Sequence, residues 1–148
     1  KITPHLHVIS HFPRIHSEEK IHPAFKLKRN NGHLQSDEFT DEISLVLRSE
    51  KGLVVLLGCS HPGVMNILTH IMQTFQEPIY AVLGGTHLQG SSQERIEKTA
   101  QFFQQHSIRR IGVSHCTGEM AEEFFANTFS DRFFRNISGH VFTLPSMP

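Results

Sequence analysis

Net charge is missing from this sequence: 14 lysines and arginines balance 14 aspartates and glutamates across 148 residues. A neutral chain offers no electrostatic footprint to nucleic acid or to an anionic membrane, so neither is expected as a partner. Cysteine is scarce. Cys59 and Cys116 are too few for a disulfide framework, which points to a reducing, cytoplasmic setting. No apolar run approaches the roughly 20 residues that a membrane helix needs, and the start carries no secretory-signal pattern. The chain opens Lys1-Ile-Thr-Pro without a methionine, from which further sequence upstream is expected. What is present is an ordinary globular composition, 38% hydrophobic and 19% charged, in a length that suits one domain. Histidine is the exception, and twelve of them raise the expectation of metal binding.

Residues 1–40 are the least regular part. His5, His7, His11, His16, His22 and His33 lie among prolines and an Asn30-Asn31-Gly32 turn signal. The segment reads as an irregular arm with one short strand, Leu6–Ser10, and its histidines as surface groups on a mobile loop. Regular structure is expected from residue 41 to 148. Ile43, Leu45 and Leu47 alternate along a half-buried strand, Glu50-Lys51-Gly52 turns, and Leu53–Leu57 returns as a strand buried on both faces. Val64, Ile67, Leu68, Ile71, Met72 and Phe75 then mark one face of a helix, with Ser60 to cap it and Pro62 in its first turn. Ile79–Leu83 is a second buried strand. Ser91 and Glu94 form a capping-box pattern for a helix that places Ile96, Ala100 and Phe103 inward. Residues 109–114 make a third strand, and a third helix carries Ala121, Phe124, Phe125 and Thr128 on one face. Phe133 and Phe134 are further core or interface candidates, and Val141–Leu144 is expected as a last short strand. The order β-β-α-β-α-β-α-β is that of an α/β layer fold whose later strands run parallel.

Each of the three central strands runs into a loop that holds a histidine: His61, His87 and His115. Parallel strands bring their C-terminal ends to one edge of the sheet, where open α/β sheets keep their ligands. The three imidazoles are therefore expected to converge on a metal, since neutral imidazole is the commonest protein ligand for zinc, manganese or iron. The competing reading is that each ring pins its own loop by donating to a carbonyl. Thr117 and Gly118, opening the third helix, offer backbone N–H groups to a phosphate or carboxylate. Cys59 and Cys116 stand either as ligands of a mixed cysteine–histidine zinc site or, preferentially, as buried reduced thiols beside it.

Taken together, Asp41-Glu-Ile-Ser-Leu45, Gly52-Leu-Val-Val55, Gly58-Cys-Ser-His-Pro-Gly63, Gly84-Gly-Thr-His-Leu88 and His115-Cys-Thr-Gly118 resemble the metallo-β-lactamase superfamily. The nearest branch is that of metal-dependent hydrolases similar to dihydropterin–ribofuranosylaminobenzene phosphate synthase. The resemblance spans roughly residues 38–120. It implies an αββα sandwich of two similar halves with the metal site at one edge. His61 takes the place of the family's third-motif metal histidine and His115 that of its last-motif histidine. The family's main motif, Thr-His-x-His-x-Asp-His-x-Gly, is absent, so the chain is expected to form the C-terminal half: one mixed sheet with flanking helices. The usual bridging aspartate is replaced by Gly84-Gly-Thr-His87. The implied activity is hydrolysis or transfer on a phosphate-bearing small molecule, with two divalent ions, zinc foremost and manganese or iron as alternatives. His61 and His115 would bind metal, His87 would be catalytic, and Thr117 and Gly118 would hold the anionic group. By itself the chain lacks a complete site, so the missing half, or self-association through a bared apolar sheet face, is expected. The contrasting expectation is a non-catalytic remnant that uses this face as an interaction module.

Overall fold

The computed structural model describes residues 2–144 and residue 146. The arm carries three strands: β1, Leu6–Ser10, as expected, and a small antiparallel ribbon of β2, Lys26–Lys28, and β3, Leu34–Ser36, where irregular chain was expected. The alternating segment forms β4, Ile43–Ser49, and the apolar run forms β5, Gly52–Leu57, closing the expected hairpin. Then come α1, Val64–Phe75; β6, Ile79–Gly84; α2, Gln93–Gln105; and β7, Arg110–Val113. A short 3-10 turn over His115–Thr117 leads to α3, Glu119–Phe129, and the chain reaches β8, Phe133–Arg135.

The main sheet has six strands in the order β1-β4-β5-β6-β7-β8. The first two pairings are antiparallel, and β5, β6, β7 and β8 run parallel. Three successive crossovers in one direction lay all three helices on the same face. There Ile67, Leu68, Ile71, Ile96, Phe103, Phe125 and Phe129 pack on Leu53, Val55, Val82 and Ile111, all essentially inaccessible. Each such side chain contributes about 1.5–3 kcal/mol on burial, which makes this layer the main source of stability. The chain is therefore an α/β layer of one mixed sheet with helices packed against it.

The last strand is not Val141–Leu144, which pairs with no strand and leaves Val141 82% exposed. The edge beside β7 is taken by Phe133–Arg135, directly after the third crossover, and the Phe134 ring fills the space that Gly112 leaves open. The tail instead folds back over the second sheet face. Phe142 stacks on Phe134 at 5.6 Å, and the backbone N–H of Glu50 donates to the Ser146 carbonyl at 2.9 Å. That face holds Val54, Ala81 and Leu83 as a small buried cluster, with Leu47, Leu56 and Tyr80 half-covered. It is partly sheathed where a bare apolar surface was expected.

Two caps also differ from expectation. The N-cap of α2 is Ser92, one residue after Ser91, and its side chain accepts from the Arg95 N–H. Replacing Ser92 with alanine is expected to cost about 1 kcal/mol, read as a lower urea midpoint at unchanged slope. Helix α1 begins at Gly63 with no side-chain cap from its own neighbourhood, because the Ser60 hydroxyl donates to the Gly85 carbonyl. Its free N–H groups are met from the arm. Glu19 Oε1 accepts from Met65 N at 2.9 Å and Oε2 from Asn66 N at 2.7 Å. Asn66 Oδ1 answers by accepting from Ile15 and His16, and Arg14 donates to the Pro62 carbonyl. Residues 12–19 are thereby fastened to the start of α1. His16 is half-buried with Nε2 2.8 Å from the Thr69 hydroxyl, whereas His11, His22 and His33 are exposed as expected.

Candidate functional site

The C-terminal ends of β5, β6 and β7 lie side by side, with Leu56 opposite Leu83 and Leu83 opposite Gly112. After each strand the chain turns sharply, and one non-glycine residue takes a left-handed conformation: Ser60 (φ 64°), His87 (φ 50°) and His115 (φ 55°). Such backbone is costly for an L-residue and persists only where neighbours fix it, as they do around binding sites. Here the loops fix one another. Gly85 N donates to the Gly58 carbonyl at 2.9 Å, Ser114 N to Gly84 O at 3.0 Å, and Gln89 N to Cys116 O at 3.0 Å. A side chain at Gly85 would meet the Cys116 sulfur and the Gly58 carbonyl, each 2.7 Å from its Cβ, so only glycine lets the outer loops close over the middle one.

His61 and His87 meet, with ring centroids 4.7 Å apart. His61 is held by Glu42, at the start of β4, whose Oε2 lies 2.7 Å from Nδ1. The carboxylate accepts, so Nδ1 carries a proton, and in the neutral ring Nε2 is the atom that keeps the lone pair, the arrangement that orients a metal-binding histidine. Glu42 is itself anchored, since Oε1 accepts from the Ser60 N–H at 2.8 Å, and its side chain is only 8% exposed. Phe39 stacks flat on the His61 ring at 4.0 Å, and Phe25 stands edge-on to it at 5.7 Å and beside His87 at 5.9 Å. The arm thus supplies an aromatic wall to the two histidines. Burial lowers the pKa of His87, and the neighbouring His61 and Arg95 lower it further, so its imidazole is neutral at neutral pH.

His115 belongs to a second group. Its ring, Cys59 and Cys116 place their donor atoms within 4.8 Å of one another. Cys116 Sγ donates to the Cys59 carbonyl at 3.2 Å, and burial pushes its thiol up to about 11, so the metal-free protein keeps it protonated. Both cysteines are free and half-buried. The two groups adjoin, because the His87 backbone N–H approaches the Cys116 thiol. The strand ends therefore gather the three histidines as two neighbouring donor sets, His61 with His87 and His115 with the cysteines.

Thr117 is fully buried, and its hydroxyl is committed internally: it donates to Ser114 O at 2.9 Å and accepts from the Thr86 hydroxyl at 3.1 Å. It ties the β6 loop to the β7 loop. Gly118 caps α3 without a side-chain partner, but the first turn that follows carries Glu119 and Glu122, which repel an anion there.

Glu42, Phe25 and Phe39 received no role from sequence. Glu42 stands in the Asp41-Glu-Ile segment 19 residues before His61, and nothing in a single sequence links the two. The available signals were a carboxylate just ahead of a half-buried strand and its place in the Asp41-Glu-Ile-Ser-Leu45 segment that resembles the superfamily.

No protein-family model matches the chain. Over 86% of its length it is 36% identical to the 7,8-dihydropterin-6-methyl-4-(β-D-ribofuranosyl)-aminobenzene-5'-phosphate synthase of Methanocaldococcus jannaschii, covering 45% of that protein. It is 29% identical to the uncharacterized protein MJ0448 of the same organism, over 75% of the chain and 39% of that protein. The crystal structure of Tm1679, a metal-dependent hydrolase of the β-lactamase superfamily, superposes with a TM-score of 0.89 at 34% identity, covering 99% of this chain and 56% of that one. The chain spans about half the length of the relatives it matches.

Proposed function

Starting from a chain that belongs to the metallo-β-lactamase superfamily, we propose that it forms part of a metal-dependent hydrolase or transferase acting on a phosphate-bearing small molecule. The observation that carries this reading is His61 itself. Its Nδ1 is locked by a buried carboxylate, its Nε2 is left free, and a neutral second imidazole stands 4.7 Å away by ring centroid. A histidine that merely pinned its loop would donate to a backbone carbonyl; this one bonds a carboxylate that is itself held in place.

His61 and His115 would hold metal, with His87 facing the same space to ligate or to donate to developing charge. Zinc suits the imidazole and thiol donors on offer, with manganese or iron as alternatives, and two adjoining donor sets suit two ions. When bound, divalent ions supply Lewis acidity and an activated water. Phe25 and Phe39 exclude solvent from one side of the histidine pair. Thr117 acts as a strut that sets the loops, and Gly118 gives the turn into α3. The substrate reading leans on the name of the curated synthase, a product of which is a 5'-phosphate. A complete site calls for further ligands from the other half of a sandwich. The half-covered second sheet face, with Leu45, Leu47, Leu56 and Tyr80, supports packing against that half or a second copy. No helix among the described residues is long and apolar enough to cross a membrane, and two free cysteines suit a cytoplasmic setting.

The test is metal analysis of the purified full-length protein beside hydrolysis of phosphate esters. Bound divalent metal and activity that is lost to a chelator and restored by zinc, manganese or iron are expected. A protein that binds no divalent ion, or whose activity ignores chelation, ends this reading. It would then favour an interaction module working through the second sheet face.

A further inference from the structure

Immediately beyond His87 lies a cavity of about 280 Å³ that none of the assignments above uses. The segment Lys20–Pro23 of the arm forms one wall, and residues 89–92 with Arg95 of α2 form the other. Its chemistry is one-sided. Lys20 and Arg95 bring two fixed positive charges, His22 and His87 bring two imidazoles, Ser91 and Ser92 bring hydroxyls, and no carboxylate lines it. Arg95 makes no ion pair among the described residues, and its Nε is buried with no hydrogen-bond partner. With no carboxylate paired to it, the Arg95 guanidinium brings an uncompensated positive charge to the cavity wall. The acidic neighbours are accounted for. Glu94 pairs with Lys98 at 3.0 Å, and Glu19, although near enough to feel the charge of Arg95, commits both carboxyl oxygens to the start of α1.

We propose that the cavity between Lys20, His22, Arg95 and His87 is the subsite for the phosphate group of the substrate. The inference rests on the proposed function, and it places the anion at the mouth of α2 in preference to Thr117-Gly118. The lining distinguishes the two places. Each helix carries acidic residues in its first turn, Glu94 in α2 and Glu119 and Glu122 in α3. Only at α2 do Arg95, Lys20 and two imidazoles line a cavity that no carboxylate enters. A guanidinium presents a planar fork to phosphate oxygens, a lysine adds a mobile charge, and the pair favours a dianionic monoester over a neutral ester. The other end of the cavity opens on His87, so a molecule held by its phosphate would lay its next bonds beside the histidine pair.

The experiment is titration of inorganic phosphate into the full-length protein freed of metal by dialysis, followed by 31P NMR or calorimetry. Metal-free protein removes direct phosphate–metal contact from the reading. Saturable binding is expected, weakened about 10-fold or more by Arg95→Gln and several-fold by Lys20→Gln. Lys98→Gln, on the outer face of α2, should bind as the parent does. Thermal melting of each variant separates lost binding from lost fold, and Lys20, on the exposed arm, serves if the Arg95 variant unfolds. Phosphate binding that is equally strong in the Arg95 and Lys20 variants, or no saturable binding by the parent, overturns the subsite. Failure of the metal reading looks different: no bound ion and no chelator-sensitive hydrolysis, with Arg95-dependent phosphate binding intact.

Discussion

Exchanging His61 for alanine is expected to weaken divalent-metal binding by about 100-fold or more, and exchanging Glu42 for glutamine by about 10–100-fold. The two effects have different origins. His61→Ala removes the donor atom. Glu42→Gln keeps the shape and leaves an amide oxygen that can still accept from the Ser60 N–H, 2.8 Å away in the parent. It removes the negative charge that fixes the proton on His61 Nδ1 and makes Nε2 a stronger donor. Folding stability of the glutamine variant should change by less than about 1 kcal/mol, because the weaker neutral hydrogen bond is offset by no longer burying a charge on a side chain that is 8% exposed. The measurement is metal affinity by competition with a chromophoric chelator, alongside urea unfolding. Full metal retention in both His61→Ala and His115→Ala would refute the ligand assignment. An undiminished affinity in Glu42→Gln would reduce that carboxylate to a structural anchor for the Ser60 loop.

The second large effect concerns stability. Glu19→Ala is expected to cost about 3 kcal/mol near pH 5, since it strips the acceptor from two buried N–H groups at the start of α1. Burial raises the Glu19 carboxyl from 4.5 to about 7, although the Met65 and Asn66 N–H groups and Arg95 pull it back. A folded-state value above the unfolded one means that the native protein holds the proton more tightly. The stability tied to that proton is fully present below about pH 4.5 and is lost as pH rises to about 7, by roughly 3 kcal/mol at most. Alanine has no proton to lose, so the gap between parent and variant should narrow as pH rises through this window. Chemical denaturation of both proteins at about pH 5 and pH 8 reads this directly. A gap that widened with pH would show that the anionic carboxylate is the better cap and that its burial costs little. A gap below about 1 kcal/mol at both values would show that residues 12–19 hold α1 without Glu19.

Much of the layer was legible because hydrophobic periodicity is a local signal. The switch from alternation at Ile43–Leu47, to the solid run at Leu53–Leu57, to helical spacing at Val64–Phe75 marks three elements without reference to the rest of the chain. The strand–loop–histidine event after β5, β6 and β7 was likewise local, and parallel topology made one shared edge of it. The last strand was misplaced because Phe133–Arg135 and Val141–Leu144 have similar β-forming composition. Only one place beside β7 is open, and the segment nearest the end of α3 takes it.

Sequence by itself determined the elements from β4 to α3, the β4–β5 hairpin with parallel strands after it, and the sheet edge that carries the three histidine loops, since all of these follow from spacing along one chain. Tertiary structure alone decided the partners: His61 with Glu42 and His87, His115 with Cys59 and Cys116, Glu19 with α1, and Arg95 with a basic cavity. Each of these reaches between separate elements, and His115 and Cys116, neighbours in one turn, become a donor set only with Cys59 from the loop after β5. Hydrogen bonds and charges act across a few ångströms of space, whatever the number of residues between them, so no period or motif along the chain records them.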